Sequence, residues 1–201
     1  VGLQEVTIQL IAFRVLAILI IAGVHGGVVA GTAVLLGDKG PKYDGRLTLA
    51  PTGHMDLVGS ISLIVFGFGW IRPVAIDAEQ FRIGRIGIVV VILAGFLGLN
   101  VVAALLEALV VPTLTTLPHT AALATAAFLR TASDVSIYFA LFSLVPIPPL
   151  TGGLLFEAFG ISVSRSVRRV LAAMLLLLAA AGVVRQLLGP AHAVLASVIL
   201  T

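Results

Sequence analysis

The stretch VLAILIIAGVHGGVVAGTAVLLG, Val15 to Gly37, runs for 23 residues without a formal charge. A bilayer hydrocarbon core about 30 Å thick takes about 20 helical residues to cross, so this stretch reads as a membrane helix. Ile8 to Phe13 extends it beyond Arg14, whose long side chain can reach headgroups from near a helix end. The run is too long for the core of a secretory signal and carries a histidine. Residues 8–37 are therefore expected to form a retained first helix.

The remaining composition agrees. Of 201 residues, 60% are hydrophobic and 10% charged, against about 25% charged in an ordinary soluble domain. Mean hydropathy is +1.20. This excludes a disordered, collagen-like or disulfide-built chain and disfavours a soluble enzyme. A net charge of +3 supplies no field fit to hold nucleic acid. Cysteine is absent, which removes disulfides, thiolate metal sites and a cysteine nucleophile.

Further apolar stretches follow at Leu57–Ile71, Ile86–Leu106, Ala121–Val145 and Val170–Val184. A tail from Leu187 to Leu200 is broken by Gly189 and Pro190. The expected fold class is an all-α polytopic integral membrane protein, with five or six hydrophobic helices and a short extended or re-entrant segment. One membrane domain covers 1–201, divided into the first helix (8–37), an extended or re-entrant loop (38–56), a central core (57–155) and C-terminal helices (165–201). If all five main elements cross, Arg72, Arg82, Arg85, Arg165, Arg168 and Arg169 lie on one side, taken as cytoplasmic, and Lys39, Lys42, Arg46 and Arg185 on the other.

Two internal patterns matter. Gly23, Gly27 and Gly31 repeat every fourth residue along one helix face, a surface that lets a partner helix approach closely in lipid. VHGGVVAG lacks the spacing of a phosphate-binding loop. Arg130 and Asp134 are four apart on one helical face and are expected to form a buried polar pair, since either charge alone is costly in lipid. A proton or ion relay is the alternative for that pair.

Three blocks carry a more specific message: LGDKGPKYDGRLTLAPTGHMDLVGS (Leu36–Ser60), FGWIRPVAIDAEQFR (Phe68–Arg82) and ALFSLVPIPPLTGG (Ala140–Gly153). In order and spacing they resemble the compact branch of the site-2 protease family, the M50-type intramembrane zinc metalloproteases. The resemblance implies an HExxH helix and a later LDG-type segment. Histidines at i and i+4 share one helical face, and the intervening glutamate reaches the metal-bound water.

At the matching positions this chain has His25, Gly26, Val29 and Thr151. Only the first histidine is kept; Gly26 stands for the glutamate, Val29 for the second histidine, and Thr151 for the ligand aspartate. The AGPxxN-like segment appears as Ala94-Gly95-Phe96-Leu97-Gly98-Leu99-Asn100, without its proline. On that reading the four catalytic positions are degenerate, no metal or other cofactor is expected, and the chain is expected not to be an enzyme.

The related segment after the first helix is extended or re-entrant, and Arg46-Leu47-Thr48-Leu49 alternates as a short strand would. It is expected either to fill the former substrate cleft itself or to bind a partner there, as a strand-addition site does, with Gly23, Gly27 and Gly31 as further partner-binding positions. Asp56 is placed to cap the helix starting at Leu57. Trp70 and Arg72 are expected to anchor a membrane boundary, and Pro146, Pro148 and Pro149 to enforce a non-helical passage.

The leading expectation is a catalytically inactive site-2-protease-like membrane protein acting as an accessory or structural subunit through helix or peptide packing. Its partners would be an integral membrane protein or larger membrane complex, with lipids and no nucleic acid, in a prokaryotic inner or cytoplasmic membrane. The alternatives are a zinc metalloprotease with a rearranged site and a proton- or ion-coupling subunit.

Overall fold

The computed structural model describes residues 7–161 and 163–199, and the rest of the 1–201 domain expected from sequence lies outside the described residues. Helix α1 spans Ile8–Leu36, capped at its start by the Thr7 hydroxyl, which accepts from Leu10 N. It is apolar on every side, as a helix surrounded by lipid and protein should be. The chain then turns through the short α2 (Gly40–Tyr43) and an irregular loop into α3 (Leu57–Phe66). Asp56 caps α3 as expected, accepting from Gly59 N at 2.8 Å. An extended passage follows to Asp77. Beyond it come α4 (Ile86–Ala108), α5 (Val110–Thr116), α6 (His119–Ser143), α7 (Leu154–Ala158), α8 (Arg165–Ala180) and α9 (Val183–Ile199).

Among the described residues, fewer helices than the expected five or six are long and apolar enough to cross a membrane. Two are long and apolar enough, Ile8–Leu36 and Ile86–Thr116, and a third only if α8 and α9, bent by 74°, count as one span. The shortfall has physical causes. With 10 residues, α3 is about 15 Å long at 1.5 Å per residue, half the hydrocarbon thickness. Arg130 and Asp134 lower the hydropathy of α6. The helix α9 continues through Gly189 and Pro190, which sequence reading takes as a break.

The stretch from residue 38 to 77 is an excursion that returns to the end of α1 where it began. Asp38, 1% exposed, accepts from Gly40 N through Oδ1 and from Asp77 N through Oδ2, both at 2.8 Å. Arg82 N donates to Leu36 O at 2.9 Å. Lys39, Lys42 and Arg46 therefore share a side with Arg72, Arg82 and Arg85. This corrects the expectation that Leu57–Ile71 carries the chain across and separates the two groups.

The excursion is seated on the glycines of α1. A Cβ at Gly23 would meet Leu49 O at 2.4 Å, and one at Gly27 would meet Thr48 O at 2.9 Å. At Gly26 it would strike the His54 ring, with Nδ1 at 2.2 Å. The face expected to receive a partner helix is thus filled by the chain's own loop. Arg46–Leu49 forms bends rather than a strand, and no strand occurs among the described residues. Arg46 is buried and donates from Nη2 to Arg72 O at 2.6 Å, while Leu47 and Leu49 are exposed.

The extended return packs on α3. Trp70 is 4% exposed, and its carbonyl lies where a Cβ at Gly59 would be; it is a core residue, not a boundary anchor. Val74 and Ile76 join Val29, Ala33, Ile88, Val91 and Leu154 in one buried cluster. Ile18, Ile21, Leu63, Leu99, Val135 and Phe139 form a second between α1, α3, α4 and α6.

Two predictions follow from this layout. The natural chain has no cysteine, so Lys42→Cys and Arg82→Cys can be labelled individually in sealed vesicles. An impermeant maleimide should reach both from the same face; labelling from opposite faces overturns this shared side. Gly26→Ala should destabilise the protein by about 1–3 kcal/mol through overpacking, lowering the melting temperature by about 2–4 °C per kcal/mol. The penalty should shrink in a His54→Ala background, measured by thermal unfolding in detergent.

Candidate functional site

Three of the four positions singled out by sequence, His25, Val29 and Thr151, line one cavity around a fully buried imidazole, while Gly26 faces His54 instead. His25 lies on α1 with its ring edge toward Phe139, 5.4 Å between centroids. Its Nδ1 is 3.2 Å from Gly95 O on α4, and its Nε2 is 2.8 Å from Thr151 Oγ1. Gly95 is needed for this approach, because a Cβ there would lie 2.7 Å from His25 Cε1. A carbonyl oxygen only accepts, so Nδ1 carries the proton. A charged imidazolium would be costly in this apolar setting, so Nε2 presents its lone pair and the Thr151 hydroxyl donates to it.

Thr151 is delivered by the proline passage. Pro146–Pro149 is non-helical as expected, and a short turn, Thr151–Gly153, leads into α7. Gly152 and Gly153 let this turn fold back on the proline segment. A Cβ at Gly152 would meet Leu144 O at 2.4 Å, and one at Gly153 would meet Pro148 N at 2.6 Å.

Around the pair is a cavity of ≈ 30 Å³, lined among others by His25, Val29, Arg72, Pro73, Val74 and Thr151. That is room for a water or two. Gly26 does not face the cavity, since the imidazole of His54 covers it. His54 Nε2 is 2.9 Å from Thr48 O, which leaves the buried Nδ1 without a partner. Asn100 donates to Phe96 O on its own helix and does not reach the site.

A zinc ion is implied by the resemblance, and the donor set does not fit it. Among the described residues no three of His, Asp and Glu gather, whereas a catalytic zinc takes three protein ligands and an open position. What the arrangement supplies instead is a hydroxyl hydrogen-bonded to an imidazole, the imidazole held in turn by a carbonyl. This is the relation of a nucleophile, its base and an orienting group.

The expected Arg130–Asp134 pair is not made. Arg130 Nε is 3.7 Å from Glu107 Oε1, and Asp134 Oδ1 is 2.9 Å from His192 Nε2. The side chains lean toward α4 and α9, which supply those partners, rather than toward each other. Sequence reading also missed the edge of the return segment. From Val74 to Ala78 burial alternates residue by residue, and the β-branched Val74 and Ile76, two apart, were the weak signal for it.

No family model and no solved structure matches the chain. Over 158 residues it is 31% identical to "Putative zinc metalloprotease YwhC" of Bacillus subtilis (strain 168), an alignment covering 75% of this chain and 70% of that protein. The relative's name points to a protease and corrects the expectation that this chain is not an enzyme; three altered positions do not establish inactivity. With identity at this level across most of both sequences, the chain belongs to the site-2 protease-like family.

Proposed function

We propose that this chain receives an extended segment of another integral membrane protein along the edge Pro73–Ile76 and holds it against His25 and Thr151. One observation carries this. The backbone N–H groups of Val74, Ala75 and Ile76 donate to nothing among the described residues, while the side chains of Val74 and Ile76 are anchored in the core. A backbone fixed on one side and unpaired on the other is the receiving half of strand addition. Arg72, Pro73 and Val74 also line the His25–Thr151 cavity, so a segment paired there passes the hydroxyl. The partner is a single membrane protein or part of a larger complex, and the chain serves as its peptide-holding subunit. Basic residues gathered at the C-terminal end of α1 favour the cytoplasmic side of a cytoplasmic membrane for that end.

The tautomer of His25 favours a second reading, hydrolysis at the same place. Thr151 Oγ1 attacks the peptide carbonyl carbon while its proton passes to His25 Nε2. His25 then protonates the departing amine, and a water hydrolyses the resulting ester, restoring the threonine.

Both readings are tested with the full chain in liposomes and a single-span reporter carrying photo-leucine around an Asn-Pro break. Ala75→Pro removes one edge donor and keeps an extended backbone. It should cut crosslinking by about tenfold, the value of a lost hydrogen bond of roughly 1.4 kcal/mol, while Ala75→Ser leaves it unchanged. Equal crosslinking by Ala75→Pro and the natural chain sinks the edge. If hydrolysis occurs, Thr151→Ala should retain crosslinking and lose the cleaved fragment, with Thr151→Ser keeping it; a fragment that persists in Thr151→Ala rejects the threonine route.

A further inference from the structure

A second polar cavity lies away from His25, between α1, α6 and the start of α9. It encloses ≈ 390 Å³ and is lined by Arg14, Arg130 and Arg185, with Asp134, Thr131 and Tyr138. That is within the size range of small-ligand sites. We propose that it binds a phosphate group, the chemistry of an anionic lipid headgroup or of the free anion.

The charges require an anion that the chain does not supply. Three guanidiniums face one carboxylate on the lining. That carboxylate, Asp134, is already engaged by His192, and Arg130 by Glu107. Arg14 and Arg185 have no carboxylate within 4 Å among the described residues. Charged groups at membrane depth face a cavity and find a counterion there.

Arg14 and Arg185 are also held in place. Arg14 is 4% exposed; its Nη1 donates to Ile64 O and Val65 O at 2.9 and 3.0 Å. Those carbonyls end α3, where the helix dipole favours a cation. The Arg14 Nε–H remains buried with no acceptor. Arg185 lies over the Tyr138 ring, 4.9 Å from its centroid, and His192 stacks on the same ring at 3.8 Å. Fixed guanidinium forks match phosphate oxygens bidentately.

Depth agrees with a headgroup. Arg14 is six residues into α1, about 9 Å along the axis, where hydrocarbon gives way to the interfacial region. Basic pockets between membrane helices take phospholipid headgroups in this way.

The experiment uses delipidated full chain in detergent, read by native mass spectrometry and thermal unfolding. Phosphatidylglycerol, phosphatidylcholine with the same acyl chains, and inorganic phosphate are titrated separately. Phosphatidylglycerol should bind at least about tenfold more tightly than phosphatidylcholine and raise the melting temperature. Arg185→Gln should remove most of that difference, and Asp134→Asn should strengthen binding, an opposite sign that general damage to the fold would not give. Binding of inorganic phosphate with the same dependence on Arg185 and Asp134, and no preference between the lipids, identifies the free anion and also supports the site. Equal binding of both lipids with no response to phosphate overturns it, as does an Arg185→Gln variant that binds like the natural chain.

Discussion

Backbone that leaves a helix inside a membrane has no water to bond with, so its polar groups must find partners in the protein. The structure is organised around meeting that demand for residues 38–77. Asp38 clasps both ends of the excursion, and Arg46 answers the carbonyl of Arg72. Arg72 N donates to His54 O, and Ser62 to Phe68 O. These bonds tie the excursion to itself, and residues without a Cβ let it lie directly on α1. Gly23 and Gly26 are therefore conditions of the fold rather than open surface.

The same constraint explains the composition of the site better than independent loss of catalytic groups does. A side chain at position 26 and the imidazole of His54 compete for one volume. A carboxylate there would require the loop to move. Val29 and His25 both pack against Gly95, where α1 and α4 meet, so a larger polar group at 29 would part the two helices. Thr151 is short enough to meet His25 Nε2 directly, at 2.8 Å. Gly26, Val29 and Thr151 thus each fit the neighbour they meet, His54, Gly95 and His25 in turn.

Local features were legible in the sequence because local chemistry decides them. The length of α1, the Asp56 cap, the proline passage and the glycine face could all be read from a few adjacent residues. What occupies that face could not, because a stripe of small residues states how near something comes and not what it is. Nor could the direction of the return segment, which depends on the hydrogen bond that Asp77 N donates to Asp38 Oδ2 across 39 positions. Arg130 and Asp134 satisfied the helical spacing rule and still went elsewhere; Glu107 and His192, on other helices, offered better-placed partners. Trp70 resembled an interfacial anchor by type, yet Gly59 makes room for its backbone and draws the ring inward.

An unpaired edge at Pro73–Ile76 would be intolerable in bare lipid, where each unmet polar group costs several kcal/mol. It is tolerable here because the edge opens on a hollow of ≈ 280 Å³ lined by Asp44, Arg46, Arg72, Pro73 and Ala75. That lining is polar enough to keep the backbone hydrated. A peptide arriving on this edge therefore exchanges bonds to water for bonds to protein, and each exchange nets only about 0.5–1.5 kcal/mol. Successive N–H groups of an extended chain point to opposite edges, so at most two of the three donors meet one incoming segment, too few to hold a partner tightly once the cost of ordering it is counted. Most of the affinity must come from apolar side chains of the incoming segment packing beside the exposed Leu47 and Leu49. The backbone edge then sets register and direction, which is the part that decides which peptide bond stands beside Thr151.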